Sequence, residues 1–169
     1  MAEDFEIKNR VAESGLINFD ISTLLPTGLR KGIDLKDFLF EGLILKEKDF
    51  REKVALINPE DYKDCFVYVY NSADAIVPLW AYFLITAKLT DHTKKVVFGT
   101  KKDLDILLMH NAIKNYDFTD FKDKRVLVKG CSDETIPENA YIELVEQLKP
   151  VVKSLMFGEA CSNVPIFKN

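Results

Sequence analysis

Apolar positions in this chain fall into short separate runs, each with its own period. Phe66–Tyr70 reads F-V-Y-V-Y, a continuous β-branched and aromatic run, as expected of a strand covered on both faces. Lys95–Phe98 (K-V-V-F) and residues 125–128 (R-V-L-V) predict two more strands. Between and after them the pattern turns helical, over residues 75–87, over about 101–116, and again beyond Gly130-Cys131-Ser132. Strands alternating with helices indicate βαβ units with parallel strands, so the predicted fold class is α/β with a mostly parallel sheet.

Helix starts carry their own signals. Thr100 with Asp103, and Thr135 with Glu138, have the capping-box spacing, in which a hydroxyl and an acidic side chain satisfy backbone N–H groups reciprocally. Ser72, with Asp74 two residues on, predicts a looser cap for the helix at 75–87. That helix has no charge and holds Pro78 in its first turn, and is read as buried on nearly all sides. Tyr141, Leu144, Val145, Leu148, Val151, Val152, Leu155 and Met156 follow a three-and-four spacing. They predict one long final helix, kinked at Pro150 and closed at Gly158. Residues 164–167 then form a short strand that Pro165 confines to a sheet edge.

The first 60 residues are less regular. Ile17, Phe19 and Ile21 alternate with polar neighbours as a half-buried strand does, while Pro26, Gly28 and Gly32 mark turns. Residues 43–46 suggest another strand, followed by a charged helix over about 48–57 that buries Phe50, Val54 and Ile57 and stops at Asn58-Pro59. The organisation expected is a single domain over 1–169, in which an N-terminal α+β arm (1–60) packs on an α/β core (61–169).

Composition narrows the function. Among 169 residues, 23 Lys and Arg face 27 Asp and Glu, a net charge of −4 that has the wrong sign for binding nucleic acid. The longest uncharged run, at 75–87, is shorter than the roughly 20 residues a membrane span requires. Three cysteines cannot all pair, and residues 1–10 are acidic and polar rather than secretory, so a reducing cytoplasm is expected.

In an open parallel sheet ligands sit beyond the carboxyl ends of the strands. That edge would collect Ser72, Asp74, Thr100, Cys131 and Ser132 as candidate ligand-binding residues, where helix-start N–H groups favour an anion. Capped helices are equally an ordinary feature of α/β proteins, and no G-x-G-x-x-G or P-loop spacing is present. Cys131, between a strand end and a helix start, is placed where a thiol pKa falls and a thiolate nucleophile or metal ligand forms. The alternative is a small semi-buried hydrophobe. With Cys161, Cys131 is the candidate metal pair, for zinc, iron or an iron–sulfur cluster. A simple parallel arrangement would set the two at opposite ends unless the kinked helix returns the tail. Cys65, opening the strand at 66–70, reads as structural, and His92 and His110 as surface residues. Trp80, Tyr82 and Phe83 read as core or as the contact of a homodimer.

The strings F-L-F-E-G-L-I-L-K-E-K-D-F-R (38–51), S-A-D-A-I-V-P-L-W-A-Y (72–82), V-V-F-G-T (96–100), V-K-G-C-S (128–132) and P-V-V-K-S-L-M-F-G-E-A-C-S-N-V-P-I-F-K (150–168) resemble an uncharacterised bacterial domain-of-unknown-function family, number 2480. The resemblance implies an accessory role near iron–sulfur cluster assembly proteins and supplies no catalytic residue. Two functions follow as expectations. One is a thiol- or metal-handling accessory protein. The other is a small α/β module that binds or converts an anionic small molecule at the sheet edge. Whether the protein is an enzyme stays open.

Overall fold

The computed structural model describes residues 15–129, 135–159 and 161–169. The fold is α/β, with seven strands among the described residues arranged in two sheets, six of them in parallel pairings. The chain divides into two compact units, 26–108 and 1–25 with 109–169. These boundaries fall at Leu25/Pro26 and Leu108/Met109. No described helix is long and apolar enough to cross a membrane.

In the unit at 26–108, strands β2 (Arg30–Asp34), β3 (Phe66–Tyr70) and β4 (Lys95–Phe98) run parallel in the order β2-β3-β4. Gly32, which in the sequence marks a turn, instead sits mid-strand. A Cβ there would stand 2.6 Å from the ring of Tyr68, so the missing side chain lets that ring cross the strand. β3 is covered on both faces, as its unbroken apolar run requires. Val67 and Val69 enter a core with Ile33, Leu35, Phe50, Val54, Ala81, Ile85 and Leu89. Phe66 and Tyr68 pack oppositely on Leu104 and Leu108.

Helix α1 (Glu47–Ala55) buries Phe50 and Val54, as its spacing predicts. The strand expected at 43–46 is absent, and a turn closed by the Phe40–Ile44 bridge stands there. Helix α2 (Leu79–Leu89) begins later than its apolar run. Pro78 is its N-cap and Ser72 is not, because Asn71 folds the intervening segment into a turn. Its amide donates to the carbonyls of Ala73 (3.1 Å) and Ala75 (3.0 Å) and its oxygen accepts from Ala73 N–H (3.1 Å). Nor is α2 buried all round. Ala81, Ile85 and Leu89 line a buried face, while Leu79 and Phe83 are exposed.

Helix α3 (Lys101–Asn115) has the capping box predicted for it. Thr100 N–H donates to Asp103 Oδ2 (2.7 Å), and Asp103 N–H donates to Thr100 Oγ1 (3.4 Å). Its apolar residues serve both units in turn, Leu104 and Leu108 in one core, Met109 and Ile113 in the other.

In the second unit β1 (Leu16–Asp20), β5 (Arg125–Lys129) and β6 (Ser154–Glu159) are parallel and β7 (Ser162–Lys168) is antiparallel, in the order β1-β5-β6-β7. Helix α4 (Glu138–Leu148) packs Ala140, Leu144 and Leu148 against Val126, Val128 and Leu155. Its N-cap is Pro137, two residues after Thr135. Pro150 terminates this helix instead of kinking it. Proline has no N–H with which to continue the ladder, and the N–H groups of Val151 and Val152 turn back onto the Leu148 carbonyl (3.0 Å each). Residues 154–159, read as helix from the spacing of Leu155 and Met156, form β6. Gly158 closes no helix; it lies in that strand at φ +125°, where a Cβ would stand 2.6 Å from the Ser162 carbonyl oxygen. β7 occupies a sheet edge, where Pro165 was expected to put it.

Candidate functional site

The carboxyl ends of β2, β3 and β4 present Asp34, Ser72 and Thr100 on one edge of the first sheet. Ser72 is anchored across strands. Its N–H donates to Asp34 Oδ1 (3.0 Å) and its hydroxyl to Asp34 Oδ2, while Lys36 N–H donates to the same Oδ1 (3.0 Å). Burial raises the Asp34 pKa, but the Ser72 side chain and the Ser72 and Lys36 N–H groups outweigh it and hold the carboxyl below its ordinary 3.8. Thr100 is committed in the same way. The hydroxyl and N–H of Thr100, chiefly, lower Asp103 as well. Asp74 is exposed in the turn before α2.

Ser72 and Thr100 thus follow neighbouring strands, each bound to a carboxylate of the protein itself. Donors that an anionic ligand would need are occupied, and two negative charges already stand at the edge. Asp34 is a site residue that the sequence pattern does not point to, because Gly32 beside it marks a turn rather than a strand.

These caps make an acid-labile element. Both folded pKa values lie below the unfolded value, so their stabilisation is complete above the ordinary carboxylate range and is lost as pH falls through the lowered folded values. Urea midpoints measured downward from pH 6 are expected to fall once the pH drops below about 4, and to fall less in Ser72→Ala/Thr100→Ala. Parallel curves for the two proteins would exclude this origin.

In the second unit the ends of β1, β5 and β6 form another edge. Asp20 pairs with Lys129 and Val128 with Phe157 in register, so Asp20, Lys129 and Glu159 close the three strands on the same side. Asp20 caps its own turn, accepting from the N–H (2.9 Å) and hydroxyl (2.6 Å) of Ser22. Cys161 is exposed in the hairpin turn between β6 and β7. It therefore follows the carboxyl end of a strand parallel to β5, rather than a helix running back toward the opposite edge. Cys131 and Ser132 lie outside the described residues; Lys129, two positions earlier, ends β5.

Cys65 is buried, with its thiol 3.4 Å from the Lys63 carbonyl. His92 pairs with Glu60 (2.9 Å) and His110 with Glu143 (3.0 Å), both partly exposed. Among the described residues no group of three or more His, Cys, Asp or Glu is placed to hold a metal ion. Four surface clefts have other linings. The largest of them, about 440 Å³, lies among Tyr116, Asp117, Thr119, Lys122, Gln147 and Pro150. An apolar one of about 200 Å³ lies between α4 and β6, at Tyr141, Ile142, Val145, Met156 and Ile166.

No curated protein and no solved structure matches the chain. A family model described as "Protein of unknown function (DUF2480)" matches residues 5–169, which is nearly the whole sequence and takes in all seven strands of the described residues. The chain belongs to the DUF2480 family.

Proposed function

We propose that this protein is an accessory thiol protein that handles a metal ion or cluster through Cys131 and Cys161, with iron–sulfur assembly proteins as partners in a reducing cytoplasm. The observation that carries this reading is the parallel pairing of β5 with β6, which puts the Cys161 turn on the edge where β5 ends, two residues before Cys131. The competing anion-binding reading is weaker because Asp34 and Asp103 already take up the donors of Ser72 and Thr100. Two thiolates supply half of a tetrahedral zinc or iron shell; the remaining ligands would come from a partner or solvent, as suits a protein that passes its cargo on.

The test is anaerobic loading with zinc or ferrous iron, followed by elemental analysis, on the wild-type chain and on Cys131→Ser, Cys161→Ser and Cys65→Ser. Bound metal is expected in the wild type and in Cys65→Ser, and is expected to be lost in each of the other two. Equal metal content in all four proteins, or none in the wild type, would overturn the reading.

A further inference from the structure

Asp105 and Ser154 are the buried polar residues among the described ones, and they differ in how they are satisfied. Asp105 is bonded to Arg30 and Lys101, whereas the Ser154 hydroxyl makes no hydrogen bond among the described residues. Ser154 is only 8 % exposed, yet no buried side-chain oxygen lacks a partner among those residues, so its Oγ opens to solvent. It does so in a cleft of about 340 Å³ whose lining includes Ser154, Arg125, Met156, Pro165, Ile166 and Lys168. The hydroxyl of a buried serine ordinarily has a partner. An occupant of the cleft is what can supply one.

Ser154 opens β6 at the sheet end opposite Cys161. Val126 and Leu155, paired in register, belong to the core that α4 covers, so their neighbours Arg125 and Ser154, also paired, stand on the other face. Ser154 pairs in turn with Lys168 on β7. A short hydroxyl thus stands between two long cationic side chains, each on an adjoining strand about 4.8 Å away. Lys124 and Lys153 precede β5 and β6 at the same end, where Lys153 N–H donates to the Lys124 carbonyl (2.8 Å). Four cationic side chains gather here in a chain of net charge −4, with Asp123 the nearest acid in sequence. Arg125 already has a partner, so the donors to a ligand are assigned to Ser154 and Lys168. The register shift between Leu155 and Met156 leaves Ile166 as an extra residue on β7. With Met156 and Pro165 it gives the cleft an apolar wall beside the cations. An inorganic ion would leave that wall in water, and a purely apolar molecule would leave Ser154 without a bond. We propose that the cleft binds a small organic carboxylate, its charged end on the Ser154 hydroxyl and the Lys168 ammonium and its aliphatic or aromatic body on Met156, Pro165 and Ile166. This site shares no residue with the cysteine reading or with the Ser72 and Thr100 edge.

Titration of the full chain with octanoate, followed by calorimetry and by backbone amide NMR shifts, tests it. Saturable binding is expected, with the largest shifts at Arg125, Ser154 and Lys168. Octanol, which lacks the charge, and acetate, which lacks the body, are each expected to bind about tenfold or more weakly. Ser154→Ala removes the hydroxyl and little volume, and is expected to lose about tenfold in affinity for octanoate. Lys168 is exposed, so Lys168→Met leaves the fold intact; it is expected to lose about threefold at low salt and less as salt is added. Lys88→Met, in the other unit, is expected to bind octanoate as the wild type does. Absence of saturable binding, octanol or acetate binding as tightly as octanoate, shifts confined to the apolar cleft between α4 and β6, or wild-type affinity in Ser154→Ala would each overturn the proposal.

Discussion

Replacing Asp105 with alanine is expected to lower the unfolding free energy by about 3–5 kcal/mol, the usual cost of removing one partner from a buried ion pair. Asp105 is only 4 % exposed on α3. Its two oxygens take Arg30 Nε at 3.1 Å and Lys101 Nζ at 2.6 Å. Arg30 is the partner that suffers. Its guanidinium is nearly buried, lies 5.2 Å over the Phe66 ring, and donates to the carbonyls of Gly28 (2.6 Å) and Pro26 (2.8 Å). Those two bonds fix the chain entering β2, but neither carbonyl offsets a full positive charge. Lys101, by contrast, is well exposed, and Lys101→Ala is expected to cost less than about 1 kcal/mol. Urea denaturation of both variants separates the cases, and an Asp105→Ala loss no larger than that of Lys101→Ala would refute the assignment.

Phe50→Ala is expected to cost about 3–5 kcal/mol, because the ring fills a closed site and its removal leaves a cavity. Phe50 is fully buried on α1 between Phe38, 5.6 Å away, and Trp80, which meets it edge-on at 5.5 Å. Trp80 is the single tryptophan of the chain, so its fluorescence reports this site directly. The variant should unfold at lower urea and show a red-shifted native emission, whereas Phe50→Leu, closer in volume, should lose less than about 1.5 kcal/mol. Unchanged emission in Phe50→Ala would mean the cavity has refilled and the predicted cost is too high.

Much of the fold is legible where pattern is local. F-V-Y-V-Y demands cover on two faces and has it, and Thr100 with Asp103 marks the start of α3 correctly. Errors occur where a distant neighbour decides. Leu155 and Met156 continue a helical period from Leu148, yet the open edge of β5 takes them as a strand. Gly32 reads as a turn until Tyr68 is seen to need its empty side. That the three early-recognised strands divide between two sheets depends on pairings between residues far apart in sequence, such as Ile17 with Val126, which no periodicity encodes. The candidate site follows the same rule. Ser72 and Thr100 were visible as small polar residues after strands, but Asp34, which engages Ser72 from 38 positions away, was not. The location of Cys161 likewise depended on whether residues 154–159 were helix or strand.

β7 has a bearing on solubility. Behind it β6 reads S-L-M-F-G-E, a short apolar run of high strand propensity that would recruit other chains if it were itself an edge. β7 shields it and is a poor template in turn. Pro165 deprives it of a donor, and the register shift between Leu155 and Met156 distorts the ladder it makes. The sheet thus ends in a strand ill suited to fibril growth, and a proteolytic nick in the exposed Cys161 turn, by loosening that cover, would turn an orderly protein into an aggregating one.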